Sequence, residues 1–231
     1  MSDSAFTSIG LLLFPALTQL DLTGPYEVFA RAPNTKVHLI WKDLQPVVSD
    51  RGMAILPTTT FNTCPKLDVI CVPGGPGQIN LMEDEEVLSF IRHKSIAARL
   101  VTSVCTGSLV LGAAGLLKGY KATTHWASLD QLALLGAEPI NERVVRDRNR
   151  ITGAGVTSGI DFALNVVAEI YGSNVAQNIQ LNLEYDPAPP FTCGSPQTAS
   201  AELLKKVQEQ LAPFIEKRRQ ATVKAAANLE K

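Results

Sequence analysis

The stretch Leu100-Val-Thr-Ser-Val-Cys105-Thr106-Gly107-Ser108-Leu109 reads as a strand, a sharp turn and the start of a helix. Its β-branched apolar run enters a cysteine, small residues follow, and the spacing turns helical through Leu109, Val110, Leu111, Ala113 and Ala114. A thiol at such a nucleophile elbow sits beside the unpaired N–H groups that open a helix. The positive end of the helix dipole there favours thiolate over thiol. Gly107 and Ser108 would let helix and strand approach closely. Free cysteine also serves as a small buried hydrophobe, and the other three cysteines fit that role. Cys71 lies in the run Val69-Ile-Cys-Val72, and Cys64 and Cys193 adjoin Pro65 and Gly194. Only Cys105 stands at a strand-to-helix turn.

Working outward, strands and helices alternate. Ile9 to Phe14 is a continuous apolar run of the kind buried on both faces, after which Gly24-Pro25 opens a helix through Phe29. Lys36 to Trp41 alternates as a second strand, and Val47 to Thr60 reads as a short hairpin or edge excursion broken by Asp50, Gly52 and Pro57. Leu67 to Val72 is the next core strand, ended by Pro73-Gly74-Gly75-Pro76-Gly77. Acidic residues from Glu83 to Glu86 lead a helix toward Arg92 and Lys94. Lys121 to Trp126 reads as a short strand, followed by a helix to Leu135 that Gly136 closes. Arg143 to Arg150 reads as charged and exposed, Ile151 to Gly155 as a strand, and Thr157-Ser158-Gly159 as the cap of a long helix. A final helical stripe runs from Ser200 to about Arg219, followed by an alanine-rich charged tail.

Repeated βα units predict a mostly parallel sheet covered on both faces, with ligands at the carboxyl ends of its strands. A chain of 231 residues suffices for one large domain over 1–231, and no repeat or linker divides it. The segment from about residue 200 is read as a helical extension of that domain. A net charge of −1 and 45% hydrophobic content, without a basic cluster before the tail, argue against nucleic acid and for small-molecule chemistry. No apolar run approaches the roughly 18 to 20 residues of a membrane span, and Met1-Ser-Asp3 lacks a basic signal region. The chain therefore reads as cytoplasmic. The cysteines at 64, 71, 105 and 193 form no C-x-x-C pair, and His38, His93 and His125 stand at no short ligand spacing from them. No metal site and no cofactor are expected.

A thiol needs a proton partner and a place for developing charge. Asp21, just after the first strand, is the candidate; spacing alone reads it rather as an aspartate stabilising exposed N–H groups at a helix start. Gly74 and Gly75 offer backbone N–H groups to a negative intermediate, or form a plain turn. His125 is either a general base or a packed, hydrogen-bonded histidine beside Trp126. Ser103 and Ser108 lack the G-x-S-x-G pattern of a serine elbow, which leaves Cys105 as the nucleophile.

Asp21-Leu-Thr-Gly-Pro-Tyr-Glu-Val-Phe29, Val72-Pro-Gly-Gly-Pro-Gly77, Val104-Cys-Thr-Gly-Ser108, Ala122-Thr-Thr-His-Trp126, Thr152-Gly-Ala-Gly-Val-Thr-Ser-Gly-Ile-Asp161 and Glu184-Tyr-Asp-Pro-Ala-Pro-Pro-Phe191 occur in that order. Together, from about residue 6 to 195, they resemble the DJ-1/PfpI superfamily, in particular its isocyanide hydratase branch. That branch also supplies the amino-terminal domain of AraC-type regulators. The resemblance implies a flavodoxin-like three-layer α/β sandwich, a homodimer and a reactive elbow cysteine, Cys105, with Asp21 as its carboxylate partner. The implied reaction is cofactor-independent hydration of an isocyanide to an N-substituted formamide through a cysteine thioimidate. Thr106 and Gly75 would steady the intermediate beside Gly74, and Val156 and Tyr185 would line an apolar pocket. A glyoxalase or deglycase activity and a cysteine-based small-molecule or redox sensor are the alternatives. With the chain ending at Lys231 after one helix, a pair of helix-turn-helix motifs is not expected.

Overall fold

The computed structural model describes residues 6–229; the amino-terminal residues read above for a targeting signal lie outside them. In chain order the elements are β1 (Thr7–Leu12), α1 (Gln19–Phe29), β2 (Thr35–Trp41), β3 (Val47–Val48), β4 (Ala54–Ile55), β5 (Thr59–Thr60), β6 (Val69–Val72), α2 (Gln78–Leu81) and α3 (Glu85–Ala97). There follow β7 (Leu100–Val104), α4 (Gly107–Ala113), β8 (Lys121–Ala122), a 3-10 turn (Trp126–Ser128), α5 (Gln131–Leu134), β9 (Glu138–Pro139), β10 (Val144–Asp147), β11 (Arg150–Gly153), α6 (Ser158–Tyr171), α7 (Ser173–Asn182) and α8 (Ala201–Leu229).

Seven strands form one sheet in the order β10-β11-β7-β6-β1-β2-β5, parallel throughout except for the β10–β11 pair. Helices flank it, giving the flavodoxin-like sandwich. The central strands lack alternation because both faces are covered: every residue of β6, β7 and β11 is buried. Phe29 of α1 meets Phe162 of α6 edge-on at 6.4 Å between centroids, joining the two helices that cover one side of the site. Gly159 allows this approach, since a Cβ there would lie 3.1 Å from Pro25 Cδ.

The register brings the chemistry together. Strands β11, β7, β6 and β1 are consecutive neighbours and run the same way, with Gly153 opposite Val104, Val72 opposite Ser103 and Leu11 opposite Cys71. Their carboxyl ends therefore deliver Ala154-Gly155-Val156, Cys105, Gly74-Gly75 and Asp21 to one edge of the sheet.

Several expectations change. The helix carrying Asp21 starts at Gln19, and Pro25 lies inside it. Proline lacks the N–H that would bond the Asp21 carbonyl one turn back, yet the helix continues because its apolar face is buried through Leu22, Val28 and Phe29. The Arg143–Arg150 segment is a hairpin, β10 to β11, with Val145 and Arg150 buried. Alternation hid it, because the charges lie between buried positions. Helix α7 escaped the sequence reading because it buries only Ala176 and Ile179. Helix α8 runs on to Leu229 through Pro213, and its buried residues are Arg218, Ala221, Thr222 and Ala225 rather than the leucine stripe. Small residues, not large ones, let this helix dock closely. Thr222 Oγ1 donates to Gln131 Oε1 at 2.9 Å, and Lys224 pairs with Glu83 at 2.6 Å across its rim.

Candidate active site

Cys105 has φ of +54°, the left-handed region that costs a residue with a Cβ about 1–2 kcal/mol. Four contacts hold it there. Its N–H is shared between the carbonyls of Gly153 (3.0 Å) and Ala154 (2.9 Å). Its own carbonyl accepts from Thr124 Oγ1 (2.9 Å) and Ser108 Oγ (3.1 Å). Gly107 makes the turn possible, because a Cβ at that position would fall 2.0 Å from the Val72 carbonyl oxygen. Strained backbone held by surrounding bonds in this way is a mark of functional sites.

Asp21 meets the thiol. It is fully buried, its Oδ2 accepts the Gly74 N–H at 3.0 Å, and it lies near enough to Cys105 for each side chain to shift the other's titration. Asp21 does lie in the first turn of α1, but the capping position is Thr18, and the hydrogen bond that the Asp21 carboxylate accepts at 3.0 Å comes from the Gly74 N–H in the β6 turn. Burial raises the Asp21 carboxyl from 3.8 to about 7, against the lowering effect of the Cys105 and Gly74 hydrogen bonds and with a further push from Asp50.

The elbow does not favour a resting thiolate. Burial first, and the Asp21 charge second, push the Cys105 thiol well above its ordinary value, while the Thr106 backbone N–H and Arg218 act in the opposite direction. The helix-start effect expected above is present but outweighed. The resting pair is thus a thiol beside a carboxyl group whose own pKa, about 7, suits it to receive that proton.

Gly75 has φ of +133° and its N–H donates to Thr106 Oγ1 at 3.1 Å, so the β6 turn and the elbow are bonded to each other. A Cβ on Gly74 would lie 2.5 Å from Thr106 N and 2.8 Å from Asp21 Oδ2. These glycines are required by close approach, and both N–H groups are engaged within the protein. The Thr106 hydroxyl, accepting from Gly75, keeps its own proton for another partner.

His125 accepts the Ala127 N–H at its Nδ1, 3.3 Å away, which places its proton on Nε2. Burial, reinforced by Arg218, lowers it to about 4, so near neutral pH it is an uncharged donor rather than a poised base. Ala154, whose carbonyl bonds Cys105, lines one cavity with Gly155 and Val156, and Val156 also lines a second. One, of about 480 Å³, is lined by His125, Trp126 and Gly155. The other, of about 610 Å³, is more apolar and is lined by Leu20, Val156, Ile160, Tyr185 and Pro187. Tyr185 also lines that space, its hydroxyl donating to Asp161 Oδ2 at 2.8 Å, and Arg143 Nε donates to the same oxygen at 2.8 Å.

Residues 7–169 match the model of the DJ-1/PfpI family. The chain belongs to the DJ-1/PfpI family. Among its members, the isonitrile hydratase of Pseudomonas putida is 58% identical over 96% of this chain and 97% of that protein. A crystal structure of a THiJ/PfpI family protein from Pseudomonas syringae superposes with a TM-score of 0.92 at 48% identity, covering 94% of this chain and 91% of that one. The transcriptional regulator GbdR of Pseudomonas aeruginosa is 30% identical over 78% of the chain, which spans about half (51%) of the regulator's length. Within this DJ-1/PfpI site the residue composition did not reveal Thr124, Ser128, Gln78 or Arg218. Thr124 belongs to a stretch that carries family likeness alone, and Arg218 lies in the final helical stripe between Lys217 and Arg219, a charged run indistinguishable from a solvent-facing helix face.

Proposed function

We infer that this protein is an isonitrile hydratase, an enzyme that converts an isocyanide and water to an N-substituted formamide. The observation that carries the reading is the 58% identity over 96% of the chain to an isonitrile hydratase. The buried Cys105–Asp21 pair supports it chemically.

In the proposed mechanism the Cys105 proton passes to Asp21 as sulfur attacks the terminal isocyanide carbon. A C–S bond forms, Asp21 returns the proton to that carbon, and the triple bond becomes the C=N of a thioimidate. Water then adds to the same carbon. Asp21 accepts a water proton and delivers it to nitrogen, after which the tetrahedral adduct collapses to the formamide. Collapse breaks the C–S bond, and the sulfur recovers its proton from the adduct hydroxyl. The Thr106 N–H steadies negative charge on sulfur, and the Thr106 hydroxyl, oriented by Gly75, donates to the substrate nitrogen. Gly74 holds Asp21 in place through its N–H. Val156 and the Tyr185 ring bound the space for the substituent.

We extend the same reading to a cytoplasmic homodimer working as one domain over 1–231. Among the described residues no helix is long and apolar enough to cross a membrane. Formamide production from an aryl isocyanide, with a covalent adduct on Cys105 seen by intact-mass analysis, is the expected result. Turnover by Cys105→Ala without any wild-type adduct would sink the mechanism. Activity toward methylglyoxal but not the isocyanide would move the assignment to a glyoxalase, and inertness toward both to a sensor.

A further inference from the structure

Arg218 is an arginine on the carboxy-terminal helix with only 6% of its surface exposed. Its Nε donates to Gln78 Oε1 at 3.0 Å and its Nη1 to Ser128 Oγ at 2.8 Å. Both acceptors are neutral and fully buried, and among the described residues no carboxylate pairs with the guanidinium within 4.0 Å. A buried cation without an acidic partner is expensive to maintain unless some other negative charge balances it.

Its two acceptors tie the guanidinium to the surroundings of the candidate active site. Gln78 opens α2 directly after the turn that carries Gly74 and Gly75, and Ser128 ends the 3-10 turn that begins after His125. The guanidinium therefore bridges two of the segments that wall in Cys105, while α8 also packs on α4, the helix that starts from the elbow. We propose that Arg218 is a positioning residue of the active site, the fixed positive charge that balances the negative charge formed on Cys105 and shared with Asp21. Of the other titratable groups around the pair, Asp50 adds negative charge beside Asp21, His125 is neutral, and the Cys71 thiol is pushed up to about 12 by burial and stays protonated. Arg218 is the cation of the set, and its interaction with Cys105 favours the thiolate. In the hydratase reading, on which its catalytic meaning rests, it acts at both moments when sulfur carries charge: attack on the isocyanide and departure from the adduct.

Alkylation tests the charge without reference to any substrate. Full-length protein is treated with iodoacetamide between about pH 6 and 10, and labelling of the tryptic peptide 100–118, which contains Cys105 alone among the cysteines, is followed by mass spectrometry. Arg218→Met should label about tenfold more slowly near neutral pH, with its profile displaced upward, whereas Arg218→Lys stays within about threefold of wild type. Isocyanide turnover should fall in step through kcat rather than KM. An unaltered profile in Arg218→Met overturns the proposal, as does an equal loss in Arg218→Lys, which would make Arg218 a structural tether. Should the methionine variant not fold, Gln78→Leu combined with Ser128→Ala releases the guanidinium while keeping its charge; labelling about threefold slower is expected, and a wild-type profile overturns the proposal. Labelling that responds to Arg218 in a protein without isocyanide turnover would reject the hydratase reading and leave this one standing.

Discussion

Asp21→Asn should make the protein more stable while disabling it, by an amount that depends on pH. Folding raises the Asp21 carboxyl from 3.8 to about 7, chiefly through burial. The folded state therefore holds a proton that the unfolded state has released between about pH 4 and 7, and wild-type stability falls as pH rises through that window. At 1.36 kcal/mol per pH unit, the interval from 3.8 to about 7 amounts to about 4 kcal/mol lost by the time Asp21 is ionised in the fold. Asparagine cannot ionise, yet it keeps an acceptor for the Gly74 N–H. The stability advantage of the variant should be absent near pH 4, grow with pH, and level off above about pH 7 at up to about 4 kcal/mol. Urea unfolding of both proteins at a series of pH values measures this directly. Isocyanide turnover should fall by at least about a hundredfold, the usual contribution of a positioned acid–base group. A uniform loss of about 1 kcal/mol at every pH, as when a helix-capping aspartate is removed, would refute the reasoning. Unchanged turnover would refute it equally.

The elbow strain has its own signature. Because Cys105 sits at φ of +54°, Cys105→Gly should be more stable than Cys105→Ala by about 1 kcal/mol, read as a difference in urea midpoints, although both are inactive; an alanine variant of equal or greater stability would show the backbone is not strained there. Val156→Trp, which puts a larger side chain on the wall of the 610 Å³ cavity, should raise KM for a bulky aryl isocyanide about tenfold while sparing a small alkyl one. Equal effects on both substrates would exclude that cavity as the site of the substituent.

Much of the catalytic edge was legible because backbone geometry imposed it on local sequence. An apolar β-branched run ending in Cys-Thr-Gly demands a strand and a tight turn, and Pro-Gly-Gly after a buried strand marks a second turn where side chains do not fit. Elements whose signal is spread over alternating charged and buried positions were harder to read. Strand β10 looked like an exposed loop, since Arg143, Arg146 and Arg148 surround the buried Val145, whereas the apolar start of β11 at Ile151 was legible. On α8 the leucines that promised burial remain half-exposed or exposed, while alanines and one threonine make the close contact.

By itself the sequence determined the parallel sandwich and the family and singled out Cys105 as the candidate nucleophile, because each follows from short-range patterns: periodicity, turn residues and ordered motifs. Tertiary structure decided the state of the nucleophile. Whether Cys105 rests as thiol or thiolate depends on burial, on an aspartate 84 positions earlier and on an arginine 113 positions later. No local spacing encodes these influences: burial and Asp21 oppose the helix-start effect that the local sequence does encode, while Arg218 reinforces it.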